Sequence, residues 1–250
     1  MADDDDTTQN PFARPGFIVG AVVVAAVIVA GIFLTVLNLN RGNDAAPPEG
    51  DPSLSSTASA APTPSESAVA GGVSVCGLDG VELTGKVTTP PAAEWAYVRT
   101  VAYPTSTTYG PGATSSEGVP TCFQHSPTGA LFAAATALAV PADPTLANAW
   151  IETALSSGTY RNQLLSSAIS SSETSGVRLQ VVGFKVLSYD GETASVDLAV
   201  RGSTEGQTVT ASAVYQLIWE DGDWKINANV PNPFDFASIP DTSGYIAWAA

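Results

Sequence analysis

Positively charged residues are scarce in this sequence. Its 250 residues include nine Lys and Arg against 24 Asp and Glu, which gives a net charge of −15. A nucleic-acid-binding surface needs clustered Lys and Arg to neutralise phosphates, and so few residues cannot form one. Adhesion to an anionic lipid surface is disfavoured for the same reason. The composition therefore excludes nucleic acid as a partner of the folded part.

Histidine and cysteine are also rare, since the chain contains one His and two Cys. A Ser or Cys nucleophile needs a nearby base, and the lone His125, just before a predicted helix cap, is better interpreted as a packing or capping residue. One His with two Cys is too small a ligand set for a zinc site. We therefore predict no catalytic, cofactor-binding or metal-binding residues and no enzymatic activity.

Acidic residues offer two further candidates for chemistry. Asp197 could act as a base if it pointed into the interior, but it alternates with apolar residues on a predicted strand and is expected to face solvent. Glu220, Asp221 and Asp223 supply the oxygen atoms that calcium prefers, yet they lack the spacing of a calcium loop. We interpret them as a solvated turn.

Charge is entirely missing from residues 17–37. As a helix this segment is roughly 30 Å long, which matches the hydrocarbon core of a bilayer. A buried helix of a soluble protein would show a polar stripe, and none is present. The polar leader 1–16 has no positively charged start and no small-residue cleavage site comes after the span, which argues against a cleaved signal peptide. We predict an uncleaved, single transmembrane helix.

The residues after this helix indicate its orientation. Arg14 and Arg41 flank the two ends almost equally, so flanking charge does not decide. Residues 38–72 are rich in Ala, Pro, Ser and Thr and cannot bury enough apolar surface to order, which predicts a disordered stalk. Such a stalk is typical of a domain held outside a membrane. We predict a single-pass protein of the plasma membrane, with its N-terminus in the cytoplasm and its C-terminal domain outside.

Both cysteines, Cys76 and Cys122, lie beyond the stalk. They enclose most of residues 73–125, a segment rich in aromatic residues and proline that we predict to be an extended wrap over another surface. Closing a loop of about 45 residues stabilises a fold by roughly 4 kcal/mol in the chain-entropy description. A metal site or a nucleophilic Cys are the alternatives. In an oxidising compartment we expect a structural disulfide.

Three helices and then four strands are predicted over residues 126–230. Ser126-Pro127 and Asp143-Pro144 are helix starts, and a third helix begins near Tyr160. In the strands after these helices, apolar residues alternate with polar ones, and a shift in phase at Gly183 indicates a bulge.

Two Asp-Gly pairs, at 190–191 and 221–222, predict two-residue hairpin turns between these strands. The second turn places Trp219 opposite Trp224 and Leu217 opposite Ile226, with both pairs on the buried face. The final segment, 231–250, is an apolar strap that we expect to fold back on the domain; docking on a partner is the alternative.

This order of elements, closing on the hairpin IWEDGDWKI at residues 218–226, resembles the nuclear transport factor 2-like superfamily. Within it, the single-span TcpC-like and VirB-type scaffold proteins of conjugation and type IV secretion look most similar, together with membrane proteins associated with lipid importers. The segment from Cys76-Gly-Leu-Asp-Gly to Cys122-Phe-Gln-His125 resembles actinobacterial membrane proteins linked to mobile elements. The resemblance implies an α+β fold, in which a single transmembrane helix precedes an extracytoplasmic cone of three helices packed on a curved four-stranded antiparallel sheet.

Two functions are implied by this resemblance as hypotheses. The first is a scaffold or assembly subunit of an envelope complex, with other envelope proteins or further copies of itself as partners. The second is a binding module for a small molecule or lipid, accessory to an envelope transporter. An interior filled by large side chains would favour the scaffold, and an open pocket lined by Ala and Val would favour the ligand binder. The large side chains that could fill it are Phe132, Trp150, Tyr215 and Trp219.

Overall fold

The structure, a computed structural model, describes residues 72–168, 178–204 and 207–250. The predicted leader, transmembrane helix 17–37 and nearly all of the predicted stalk lie outside the described residues. Within the described ranges, no helix is long and apolar enough to cross a membrane.

A six-stranded antiparallel sheet dominates the described residues. The helices in chain order are α1 (Pro127–Ala139), a 3₁₀ helix (Val140–Ala142), α2 (Pro144–Ala154) and α3 (Arg161–Ala168). The strands are β1 (Glu94–Val98), β2 (Val101–Thr105), β3 (Ala113–Thr114), β4 (Pro120–Thr121), β5 (Arg178–Tyr189), β6 (Thr193–Thr204), β7 (Gln207–Glu220), β8 (Asp223–Ile226), β9 (Phe234–Ser238) and β10 (Ile246–Ala247).

The order of the main sheet is β10-β5-β6-β7-β8, and β9 also pairs with β7. Strand β7 is long enough to hold two partners on the edge opposite β6. Its residues 217–220 pair with β8, and residues 211–215 pair with β9. Two small sheets, β1-β2 and β3-β4, lie outside the main sheet.

The predicted fold class is therefore wrong. The described residues are mostly β, with a six-stranded sheet, two small sheets and only three short helices, rather than three helices on a four-stranded sheet. Two segments account for the difference. The predicted wrap contains the β1-β2 and β3-β4 hairpins, and the C-terminal strap contributes β9 and β10. These strands have two to five residues each, too few to show a clear alternating pattern in the sequence.

Helix α1 lies between the β1-β2 hairpin and the main sheet, and 12 of its 13 residues are buried. Its many alanines allow both layers to approach the helix closely, whereas Leu131 and Phe132 fill the space between them. The predicted start is confirmed, because the Ser126 hydroxyl accepts a hydrogen bond from the Gly129 N–H at 2.9 Å. Helix α1 is apolar on every side, which agrees with its buried position at the centre of the fold.

The β7-β8 hairpin has the predicted register. Asp221 and Gly222 form a two-residue turn in which both residues have positive φ, as a type I′ turn requires. Trp219 lies opposite Trp224, with ring centroids 5.3 Å apart, and Leu217 lies opposite Ile226. These pairings are confirmed.

The β5-β6 hairpin differs in detail. The predicted bulge at Gly183 is present as a shift of register between Val181 and Gly183. The turn, however, is displaced by one position, because Asp190 pairs with Thr193 through its N–H and leaves Gly191 and Glu192 as the two loop residues. The Asp190 carboxylate accepts hydrogen bonds from the backbone of Glu192 and Thr193, which favours this arrangement.

The C-terminal strap, residues 231–250, folds back across the sheet. β9 extends one edge through β7, and β10 pairs with β5 at the opposite edge. Trp248 ends the strap inside the core, and its ring contacts Trp95, Phe132 and Phe184 at centroid distances of 5.3–5.5 Å. The tail thus connects both edges of the sheet and the β1-β2 hairpin.

Candidate functional site

Large side chains fill the interior between α1 and the main sheet. Phe132 and Tyr215 are buried, and so is Trp150 on α2. The rings of Tyr109 and Trp248 pack on Phe132, so the aromatic contacts are continuous across the interior. Trp219 is half-buried and stacks on His125. Of the four large side chains considered for the interior, Phe132, Trp150 and Tyr215 are therefore buried in it, and Trp219 is only partly buried.

A crevice between α1, α2 and the β7-β8 hairpin holds a cavity of about 30 Å³. This is about the volume that one water molecule occupies in the liquid, far below the 300–1,000 Å³ of typical ligand pockets. The Thr136 hydroxyl lines the crevice, is buried and has no hydrogen-bond partner among the described residues. The lining is otherwise mainly apolar, with Asp223 and Lys225 at the hairpin end.

Asp223 points from the hairpin turn toward the chain near the disulfide. Its carboxylate accepts hydrogen bonds from the N–H groups of Cys122 at 2.7 Å and Phe123 at 2.8 Å, and from its neighbour Trp224 at 2.9 Å. Burial raises the pKa of Asp223 to about 6, against the opposing effect of these donors and of the Lys225 charge. Asp223 is thus a structural link between the hairpin and the segment before α1, not part of a solvated turn.

A second, wider depression of about 590 Å³ lies on the surface between the disulfide region and the base of the β1-β2 hairpin. Glu94 is the one charged residue among the described residues that line it, and Thr105, Ser106 and Thr107 give one wall a polar character. Leu78 and Pro111 supply apolar surface. The groove is large enough for a small ligand, but its mixed lining does not match an apolar molecule.

His125 is completely enclosed. Its ring stacks on Trp219 at a centroid distance of 3.8 Å, and its two nitrogens lie 2.9 Å from the Gly72 carbonyl oxygen and 2.5 Å from that of Gly191. Carbonyl oxygens only accept, so a neutral imidazole donates to one of them and an imidazolium donates to both. Neither nitrogen faces a Ser, Cys or carboxylate of the described chain, so His125 acts in packing and links two chain segments.

Asp197 does not face the core, but it does not face solvent either. It is buried on the outer side of the sheet, where its carboxylate accepts hydrogen bonds from Ser212 at 2.6 Å and Tyr245 at 2.7 Å. Tyr245 belongs to the C-terminal strap, which covers this side, and Lys185 stands over its ring. The expectation that Asp197 is exposed is wrong. Tyr245, in the segment that covers Asp197, lies 48 residues away in sequence, so no local pattern indicates the cover.

The three carboxylates of the predicted solvated turn have different partners, although Glu220 and Asp221 share Lys225. Glu220 accepts hydrogen bonds from the backbone and side chain of Ser157, and Asp221 pairs with Lys225 at 2.9 Å. Asp223 points inward. No group of three or more His, Cys, Asp or Glu residues that could hold a metal ion occurs in the described parts of the chain.

The predicted disulfide is present. Cys76 and Cys122 are bonded, and no free cysteine remains. The bond lies beside Asp223, whose carboxylate holds the Cys122 N–H. It fastens the first described segment to the chain that leads into α1.

That first segment, residues 72–87, is here called the N-terminal strap. It crosses the two turns at the β5-β6 and β7-β8 ends of the sheet. Six large apolar side chains are exposed among the described residues, and four belong to this strap: Val73 (59% exposed), Val75 (71%), Val81 (37%) and Leu83 (47%). The sequence analysis does not predict this exposure. The spacing of two residues within each pair, Val73 with Val75 and Val81 with Leu83, is nevertheless the spacing at which side chains of an extended chain lie on one side.

A family description, Domain of unknown function (DUF8175), matches residues 55–247. The chain belongs to this family. The DUF8175 match extends over the N-terminal strap, all three helices, every strand of the main sheet and all but the last three residues of the C-terminal strap. No curated protein and no solved structure matches the chain.

Proposed function

We propose that this DUF8175 protein is a membrane-anchored, extracytoplasmic scaffold or assembly subunit of an envelope complex, of the kind that serves conjugation or type IV secretion. The observation that carries the proposal is the filled interior. Phe132, Tyr215 and Trp248 occupy the space in which a ligand binder of similar size would keep a pocket. A protein with this interior acts through its surface.

The disulfide supports a location outside the cytoplasm. Disulfides such as Cys76–Cys122 persist in oxidising compartments and are rare in the cytosol. Together with the charge-free segment 17–37 and the Pro/Ser/Thr-rich residues 38–72, it supports a single-pass protein with its folded part outside. Tethering at the membrane raises the effective concentration of the domain near other envelope proteins, so that weak contacts suffice.

The alternative, a module that binds a small molecule or lipid, has one observation in its favour. The groove of about 590 Å³ beside Glu94 and Thr105 has the volume of a ligand site. Its polar wall suits a lipid poorly, because burying polar groups against hydrocarbon without hydrogen bonds is costly. The scaffold is therefore the better-supported function.

The proposal is tested by crosslinking in the cells that make the protein. An amine-reactive crosslinker acting through Lys86, Lys185 and Lys225 is added to intact cells, and the adducts are identified by mass spectrometry. The scaffold predicts adducts with other extracytoplasmic envelope proteins, including conjugation or secretion components. Recovery of the protein alone, with a lipid that co-purifies and is lost when the groove residue Thr105→Trp is introduced, would contradict it in favour of the binding module.

The proposed location of residues 73–250 outside the membrane is tested separately. Protease added to cells stripped of their wall should digest residues 73–250, because the proposal places them outside. Full protection of this part in the wall-stripped cells, with digestion after the cells are opened, would contradict the proposed orientation.

A further inference from the structure

The N-terminal strap holds exposed apolar side chains at the turn end of the sheet, with Val75 against Gly222 of one turn and Leu83 against Gly191 of the other. Four of the six exposed large apolar residues fall within eleven positions, and a fifth, Leu187, lies on β5 two residues before Tyr189, which contacts the strap. The remaining one, Tyr97, is at the tip of the separate β1-β2 hairpin. We call these five exposed side chains, Val73, Val75, Val81, Leu83 and Leu187, the strap patch. Grouped exposed apolar residues are a feature of interaction sites, whereas singly scattered ones are normal on any protein surface.

The strap holds this patch in a fixed position. Its backbone is bonded at two places: the Val75 N–H donates to the Gly222 carbonyl in the β7-β8 turn at 2.8 Å, and the Glu82 N–H donates to the His125 carbonyl, in the segment before α1, at 2.8 Å. The Tyr189 hydroxyl donates to the Glu82 carbonyl at 2.5 Å. Because the backbone is anchored by these bonds and by the disulfide, the side chains on its outer face are already arranged before a partner arrives.

Two glycines allow the strap to lie so close to the turns. A Cβ on Gly222 would lie 2.9 Å from the Val75 nitrogen, and one on Gly191 would lie 2.9 Å from the Leu83 carbonyl oxygen. Both glycines also have positive φ, a backbone conformation that other residues rarely adopt. The sequence of the two turns is therefore suited to holding the strap as well as to reversing the chain.

Acidic residues adjoin the patch in the strap and in both turns. Asp79 and Glu82 are exposed on the strap itself, and Asp190, Glu192 and Asp221 are exposed on the two turns that it crosses. Two lysines are also nearby. Lys86 lies in the strap, and Lys225 is already paired with Glu220 and Asp221. An apolar centre with an acidic rim is complementary to an apolar segment flanked by positive charge.

We propose that the strap patch docks an apolar segment flanked by Lys or Arg in the extracytoplasmic part of another envelope protein. This rests on the proposed scaffold function and names the class of its partner. A second copy is disfavoured as the occupant because two acidic rims repel, and an anionic membrane surface is disfavoured for the same reason. The acidic rim steers a basic partner, and the apolar side chains keep it bound.

The test places a photoreactive benzoylphenylalanine at Val75 or Leu83 in the full-length protein, in the cells that make it. Position Tyr97, 65% exposed and on a separate hairpin, is the matched control. Each variant must keep the thermal unfolding midpoint of the wild-type protein. We expect adducts from the two strap positions, at least several-fold above those from Tyr97, and mapping to an apolar segment with neighbouring Lys or Arg. Neutralising the rim with Asp79→Asn, Glu82→Gln and Glu192→Gln should lower the yield at Leu83 several-fold, and so should added salt.

The outcomes separate this inference from the scaffold proposal. If lysine crosslinking recovers envelope proteins but the strap positions give no more adducts than Tyr97, the scaffold stands and the docking surface is wrong. Adducts from Val75 or Leu83 with a second copy, with lipid or with residues 1–71 of the same chain would also overturn the inference. If neither crosslinking chemistry recovers an envelope protein, the scaffold proposal itself fails.

Discussion

The two straps of this domain use the same sheet in opposite ways. The C-terminal strap, 231–250, adds β9 and β10 to the sheet and buries Trp248 in the core. The N-terminal strap, 72–87, is fastened mainly through its backbone and the Cys76–Cys122 bond, and leaves Val73, Val75, Val81 and Leu83 exposed. One strap therefore completes the fold by adding strands and a buried Trp, whereas the other is held mainly by its backbone and its disulfide and presents four apolar side chains outward.

This difference distinguishes stability from interaction. Apolar side chains that contribute to the core are protected from water, and their removal should weaken the fold. Apolar side chains that stay exposed because the backbone is held by independent bonds contribute little to folding. Their role is therefore in interaction with a partner. Substitutions in each strap, and in the turn that the N-terminal strap crosses, test whether the two straps really divide the roles in this way.

The largest effect is expected from Trp248→Ala. Trp248 is 5% exposed and packs on Trp95, Phe132 and Phe184, so its loss leaves a cavity where the C-terminal strap meets the core. Truncation of a buried aromatic residue costs about 3–5 kcal/mol. Chemical denaturation of the purified full-length protein measures this change. A loss below about 1 kcal/mol, similar to that from the exposed control Tyr97→Ala, would mean that the strap does not stabilise the fold.

A smaller loss is expected from removing the disulfide with Cys76→Ala and Cys122→Ala. The bond closes a loop with a sequence separation of 46 and fastens the N-terminal strap. The chain-entropy description gives about 4 kcal/mol for such a loop, and measured values are typically about 2–4 kcal/mol. Reduction of the wild-type protein should reproduce the same shift in denaturation midpoint. An unchanged midpoint in both experiments would show that the backbone bonds alone hold the strap.

Asp223 gives a pH-dependent test of the link between the β7-β8 hairpin and Cys122. Its pKa is raised to about 6, so the folded state binds the proton more tightly than the unfolded state, whose carboxyl has a pKa of about 3.9. The stabilisation from this group is complete below about pH 4 and is lost as the pH rises to about 6.

The free energy of unfolding of the wild-type protein relative to Asp223→Asn should therefore decrease between about pH 4 and pH 6, by up to roughly 3 kcal/mol, and stay constant above. Denaturation of both proteins across this range measures the difference. Asp221→Asn, in the same turn, controls for the loss of one negative charge. A difference that is independent of pH, or that increases with pH, would contradict the assignment.

The smallest effect on stability is expected from Val75→Asp combined with Leu83→Asp. Both side chains are exposed, and the strap is held by backbone bonds that these substitutions leave in place. We expect the free energy of unfolding to change by no more than about 0.5 kcal/mol, as for most surface positions. A loss of unfolding free energy comparable with that of Trp248→Ala would contradict the proposed difference between the two straps.

Local signals in the sequence correctly predict local structure. Ser126-Pro127 marks the start of α1, and Asp221-Gly222 sets the register that brings Trp219 opposite Trp224. Both depend on residues a few positions apart, where capping and turn geometry act directly. The disulfide is also predicted, because the chain offers only one pair of cysteines.

Pairings between distant segments were not predictable in this way. β9 and β10 are short, come after two prolines and join strands that are far away in sequence, so no local pattern marks them. The burial of Asp197 under Tyr245 has the same origin, since alternation tells which side of a strand a residue occupies and not what covers that side. The turn at Gly191 moved by one position because the Asp190 side chain caps it.

The most direct test of the division between the two straps compares them in the same cells. A photoreactive residue is placed at Leu83 on the N-terminal strap or at Ser243, an exposed position on the C-terminal strap, and the yields of intermolecular adducts are measured. We predict adducts with a Lys- or Arg-flanked segment of another envelope protein from Leu83, several-fold above those from Ser243. Equal yields from the two positions would contradict a division of roles between the straps.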